Sequence, residues 1–110
     1  MPTTYKVLAQ SAPSATTNTD IYTVPANTQT VISTIVVANR AASAATYRIA
    51  IRLNGATLAN QHYIAYDVTV GASDSTTITI GITLDPAEVI TVYASNANLS
   101  FNVFGAEITP

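Results

Sequence analysis

Residues 28–53 decide the reading of the fold: TQTVISTIVVAN (28–39), RAASA (40–44) and ATYRIAIRL (45–53). The third piece alternates strictly. Tyr47, Ile49, Ile51 and Leu53 share one face, while Thr46, Arg48, Ala50 and Arg52 share the other, which is the period of a half-buried strand. The first piece places Val31, Ile32, Ile35, Val36 and Val37 on both faces, as a strand does in the middle of a sandwich or beneath another subunit. Its β-branched residues crowd a helical turn and suit a pleated surface. With RAASA as the connector, the stretch predicts the central hairpin of an antiparallel β-sandwich.

Outward from that hairpin, the chain repeats the pattern about every ten residues. YKVLAQ (5–10) reads as a strand and SAPSATTNTD (11–20) as a polar connection, either a surface loop or an arm that reaches a neighbouring subunit. Residues 21–24 form a strand end stopped by Pro25, because proline cannot donate to a ladder. Asn54-Gly55 is a turn signal, ATLA (56–59) a short edge strand, and QHYIAYDVTV (61–70) a strand with Tyr63 and Tyr66 on opposite faces if it is regular. TTITIGITL (76–84) places Ile78, Ile80, Ile82 and Leu84 on one face. Asp85-Pro86-Ala87-Glu88 reads as a type I turn. Residues 89–95 and 99–108 form a last pair, with Gly105 a bulge or twist point. The fold class is therefore all-β: one antiparallel β-sandwich domain over residues 1–110, of seven to eight strands, with Ig-like or jelly-roll connectivity and residues 1–20 as an N-terminal strand and polar arm.

Composition removes several functions. There are no cysteines, hence no disulfide framework and no thiol chemistry. Charged residues are 9% of the chain, far below the usual share of about 25%. The net charge is −2, and Lys6, Arg40, Arg48 and Arg52 are the only basic side chains besides His62, too few for a phosphate-tracking surface. No apolar run has the length of a membrane span, and the start of the chain lacks the pattern of a signal peptide. The expectation is a chain made in a cytoplasm, with no nucleic-acid or membrane partner.

Catalytic patterns are missing as well. A phosphate loop, HExxH and G-x-S-x-G do not occur. His62 is the sole histidine, and its expected role is structural. The carboxylates are scattered, with Asp74, Asp85 and Glu88 where turns want them. No enzyme, cofactor or metal site is expected. The candidate contact residues are Arg40, Arg48 and Arg52, and the tyrosines Tyr63 and Tyr66, whose rings combine an apolar face with a hydrogen-bonding tip. Arg48 and Arg52, on one face of their strand, have a second use, a pairing with Asp67 on a neighbouring strand.

The segments IYTVPANTQTVISTIVVANR (21–40), ATYRIAIR, HYIAYDVTV, ITIGITL and VITVYASNANLSFNVFGAEI (89–108) resemble small virion structural proteins of tailed bacteriophages, including those of cyanophages. The resemblance runs over nearly the whole chain. It implies a capsid decoration or cement protein, a homotrimer bound to the major capsid protein on the virion surface. The alternative it leaves open is a tail, baseplate or fibre component whose tyrosines contact a host glycan.

Overall fold

The computed structural model describes residues 2–109, with the side chain of Ile80 outside the described set. It is all-β. Eight strands run in the order β1 (Thr3–Ser11), β2 (Thr19–Thr23), β3 (Gln29–Asn39), β4 (Ala45–Arg52), β5 (Tyr63–Val70), β6 (Ser75–Leu84), β7 (Val89–Ala94) and β8 (Leu99–Ile108). They form two four-stranded antiparallel sheets, β1-β8-β3-β6 and β2-β7-β4-β5. The pairs β1·β8, β2·β7, β3·β6 and β4·β5 are nested, like one long hairpin with its tip at residues 53–62, rolled into two layers. That is jelly-roll connectivity, and it settles the choice left open with the Ig-like order.

The same topology corrects the hairpin expected at residues 28–53. β3 and β4 lie in opposite sheets, and RAASA crosses between them. β7 and β8, expected as a pair, are likewise in different sheets. Five residues, four of them with small side chains, suffice to bridge layers about 10 Å apart. Periodicity tells which side chains face inward, and that face is the same for a hairpin and for a crossover.

The inward faces supply the core. Ile32, Ile35 and Val37 of β3, Tyr47 and Ile49 of β4, Ile90 and Val92 of β7, and Leu99, Phe101 and Val103 of β8 are buried together. The Tyr47 and Phe101 rings meet edge to face across the layers at 6.3 Å. Ile32 and Ile35 both point inward although they are three residues apart, because the register shifts between Ile32 and Thr34. This bulge accounts for the imperfect alternation of 28–39.

The shift is part of a distortion that crosses the whole sheet. From Gly105 to Val103, β8 advances two residues, whereas β3 takes three, from Ile32 to Ile35, and β6 takes four, from Ile82 to Ile78. β1 also takes three, from Lys6 to Ala9. Gly105 thus sits opposite the bulges of its neighbours.

Two local expectations need correction. ATLA is not a strand: residues 53–62 form 3-10 turns at Leu53–Gly55 and Asn60–His62 with coil between them, and Asn54 and Gly55 both take positive φ, as their turn signal required. In the DPAE turn, Ala87 has φ +71°, which is the type II and not the type I geometry. The connection 12–18 is held to the body: Pro13 is buried, and the Thr16 N–H donates to the Ala94 carbonyl at 2.8 Å.

Candidate functional site

The outer face of the β2-β7-β4-β5 sheet carries the densest group of polar and aromatic side chains. Arg48 projects from β4 away from the core. Its guanidinium lies 4.2 Å from the ring centre of Tyr66 on β5 and 4.3 Å from that of Tyr93 on β7. Asp67 accepts from Arg48 Nε at 2.7 Å and from Nη2 at 3.3 Å, and this hydrogen bonding raises the Arg48 pKa above its ordinary value. The internal ion pair weighed from the sequence is therefore present. It is neutralised within the chain and flanked by aromatic faces.

Tyr63 and Tyr66 stand on one face. Their rings meet edge to face with centres 4.9 Å apart. A regular strand cannot do this, and β5 is not regular: its register against β4 shifts between Tyr47 and Ile49 and again between Ile49 and Ala50. Asp67 takes φ +54° at the first of these bulges, a conformation that Asp tolerates better than most residues. With Asn60 from the preceding 3-10 turn, the two tyrosines line a concavity of about 400 Å³.

The other two candidate arginines serve the chain itself. Arg52 donates to Asp20 Oδ2 at 2.8 Å, to Thr91 Oγ1 at 3.0 Å and to the Ala56 carbonyl at 3.0 Å. Arg40 donates to Ser100 Oγ at 3.0 Å and to the Ala97 carbonyl at 3.1 Å, lacing the β3–β4 crossover to the β7–β8 connection. His62 is buried, and its Nδ1 accepts the Ala59 N–H at 3.0 Å, in keeping with a structural role. Asp74 and Asp85 sit at opposite ends of the ten-residue β6, roughly 30 Å apart at the rise of a strand. Among the described residues no group of three or more His, Cys, Asp or Glu side chains comes together.

Sequence reasoning missed a second surface, on the outer face of the other sheet. Tyr5 is 83% exposed and Val7 48%. Tyr5, Ala106 and Val31 are aligned across β1, β8 and β3, and Val7 is aligned with Phe104. Together they line an apolar groove of about 570 Å³. The signal was the apolar parity of Tyr5 and Val7 in β1 and of Phe104 and Ala106 in β8.

Comparison with known proteins is consistent with this architecture and says little beyond it. No family model matches the chain, and no curated protein matches it. Among solved structures, a chain of infectious bursal disease virus, Gx strain, superposes with a TM-score of 0.57 over 96% of this chain, at 12% identity. The matched region is 32% of that viral chain, so this protein spans about a third of its length. The likeness is one of fold.

Proposed function

We propose that this protein is a virion structural protein of a tailed bacteriophage, a decoration protein that binds the outside of an icosahedral shell as a homotrimer and stabilises it. The observation that carries this reading is the apolar groove of Tyr5, Val7, Val31 and Phe104, in which Tyr5 is the most exposed large apolar side chain among the described residues. A large exposed tyrosine beside exposed valine favours being covered by a partner. The jelly-roll topology, shared with a chain from a virus, and the phage-like sequence segments support the same reading. The action is linkage: a protein that binds only the assembled shell stabilises that shell.

Copy number on purified particles tests the location. Hundreds of copies in fixed ratio to the major capsid protein support decoration, whereas a few to a few dozen place the protein in the tail. Particles lacking it are expected to assemble and to rupture at lower temperature, and Tyr5→Asp or Val7→Asp protein is expected not to restore them. Equal rupture temperatures with and without the protein overturn the stabilising role. The tyrosine cluster on the opposite sheet favours the second reading, a tail or fibre component, in which those rings contact the host.

A further inference from the structure

The two outer faces of the sandwich differ in chemistry. The groove on the β1-β8-β3 face is apolar, whereas the concavity on the β2-β7-β4-β5 face combines ring surface with unused hydrogen-bonding groups. Tyr66 is 56% exposed, and Tyr63 lies edge to face against it. Among the described residues no hydrogen bond ends on either hydroxyl, in contrast to Tyr22, whose hydroxyl is bonded to Thr30 and Glu107. Asn60, exposed at the rim, likewise has a free side-chain amide among the described residues. Arg48 and Asp67, beside the site, neutralise each other.

These features select a class of ligand. An aromatic face attracts polarised C–H groups through its quadrupole, and the hydroxyls and amide supply donors and acceptors that orient a polar molecule. The local charge balance disfavours an anionic ligand, and an apolar segment would bury the hydroxyls and the amide unpaired, at a cost. A neutral pyranose with equatorial hydroxyls meets all three conditions, because it presents an apolar C–H face and a rim of hydroxyls. The volume of about 400 Å³ lies within the range of small-molecule sites. The register shift between Ala65 and Tyr63 turns Tyr63 onto the outer face that carries Tyr66, and Asp67 takes a positive φ at the second shift beside them. Bulges are enriched beside binding sites, where they re-aim a side chain.

We propose that Asn60, Tyr63 and Tyr66 form a binding site for a neutral gluco-configured saccharide, a glucose or N-acetylglucosamine unit seated against the two tyrosine rings, beside the guanidinium of Arg48 that already covers part of Tyr66. The site does not depend on where the protein sits on a particle. If the protein docks through its Tyr5 face, the saccharide site lies on the opposite, outward layer.

Saturation-transfer NMR on the isolated protein with chitotriose and with cellotriose tests this. The expected result is transfer to the ring C–H protons of at least one of the two. Tyr66→Ala is expected to weaken that binding about tenfold, with a smaller loss for Asn60→Ala, and Tyr5→Ala on the other sheet to leave it within about twofold. Thermal melts establish that each variant is folded; if Tyr66→Ala is not, Tyr63→Ala and Asn60→Ala carry the test. No transfer to either trisaccharide at millimolar concentration overturns the proposal, as does an equal loss in Tyr5→Ala.

Discussion

A Cβ atom placed on Gly105 would lie 2.0 Å from the carbonyl oxygen of Val31. The bulged β3 presses its backbone against β8 at this point, and only a hydrogen on Gly105 leaves room. Gly105→Ala is expected to lower stability by about 3 kcal/mol or more, seen as a fall in Tm of roughly 10 °C or more. Gly71→Ala is the control, because its nearest contacts are Asp74 side-chain atoms at 3.7 and 3.8 Å, and its Tm is expected to stay within a few degrees of the parent. Equal Tm values for the two variants would mean that β3 relaxes freely at Val31.

Asn39 closes the crossover that replaces the expected hairpin. Its buried amide donates to the carbonyls of Ser43 at 2.9 Å, Val70 at 3.2 Å and Gly71 at 3.2 Å, and its Oδ1 accepts the Ala41 N–H at 2.9 Å. One side chain thus fixes both the β3–β4 and the β5–β6 connections. Asn39→Ala is expected to cost about 2–3 kcal/mol, because it strands buried carbonyls. Asn39→Asp is expected to cost more, since it sets a carboxylate against acceptors, and urea midpoints in the order Asn > Ala > Asp check this.

Arg52 is expected to behave as a structural residue. Its planar fork serves Asp20, Thr91 and the Ala56 carbonyl at once, a geometry that lysine cannot reproduce. Arg52→Lys should therefore cost about 1–2 kcal/mol and make residues 53–62 more open to proteolysis. An unchanged cleavage pattern would show that the 3-10 turns hold without it.

The strands themselves were legible because burial imposes a period of two. Tyr47, Ile49 and Leu84 face the core where alternation places inward residues. What alternation does not encode is the sheet to which a strand belongs, so β3 and β4 read as partners. It also fails at bulges. Ile32 and Ile35 look out of phase until the register shift is known, and Ile80 in the expected apolar face of 76–84 lies outside the described side chains.

The candidate site was legible in composition and not in geometry. Tyr63, Tyr66 and Arg48 could be singled out as residue types, but parity separated the two tyrosines. The register shift between Ala65 and Tyr63 brings them to one face, and the sequence reads 61–70 as one regular strand. The Tyr5 groove was passed over for the opposite reason. Its members come from β1, β3 and β8, and their alignment follows from the jelly-roll order.

Titration should reveal the polar clasp between the sheets. Glu107 on β8 pairs with Lys6 Nζ at 2.8 Å and accepts the hydroxyl of Tyr22 on β2. The Lys6 bond, then the Tyr22 bond, hold the Glu107 carboxyl below its usual range. Burial, and next the Glu107 bond, push Tyr22 up to about 12. The depressed carboxyl contributes stability above its unfolded pKa, and this is lost as pH falls through the folded value. The raised phenol contributes below about pH 10, and this is lost as pH rises towards 12. Burial also raises Tyr47, so two phenols share the alkaline limb. Urea midpoints across pH should accordingly fall at both ends. Glu107→Gln should flatten the acid limb, and Tyr22→Phe should remove part of the alkaline one, leaving the share due to Tyr47. An acid limb as steep in Glu107→Gln as in the parent would show that the clasp adds no stability and that other carboxylates set the acid response.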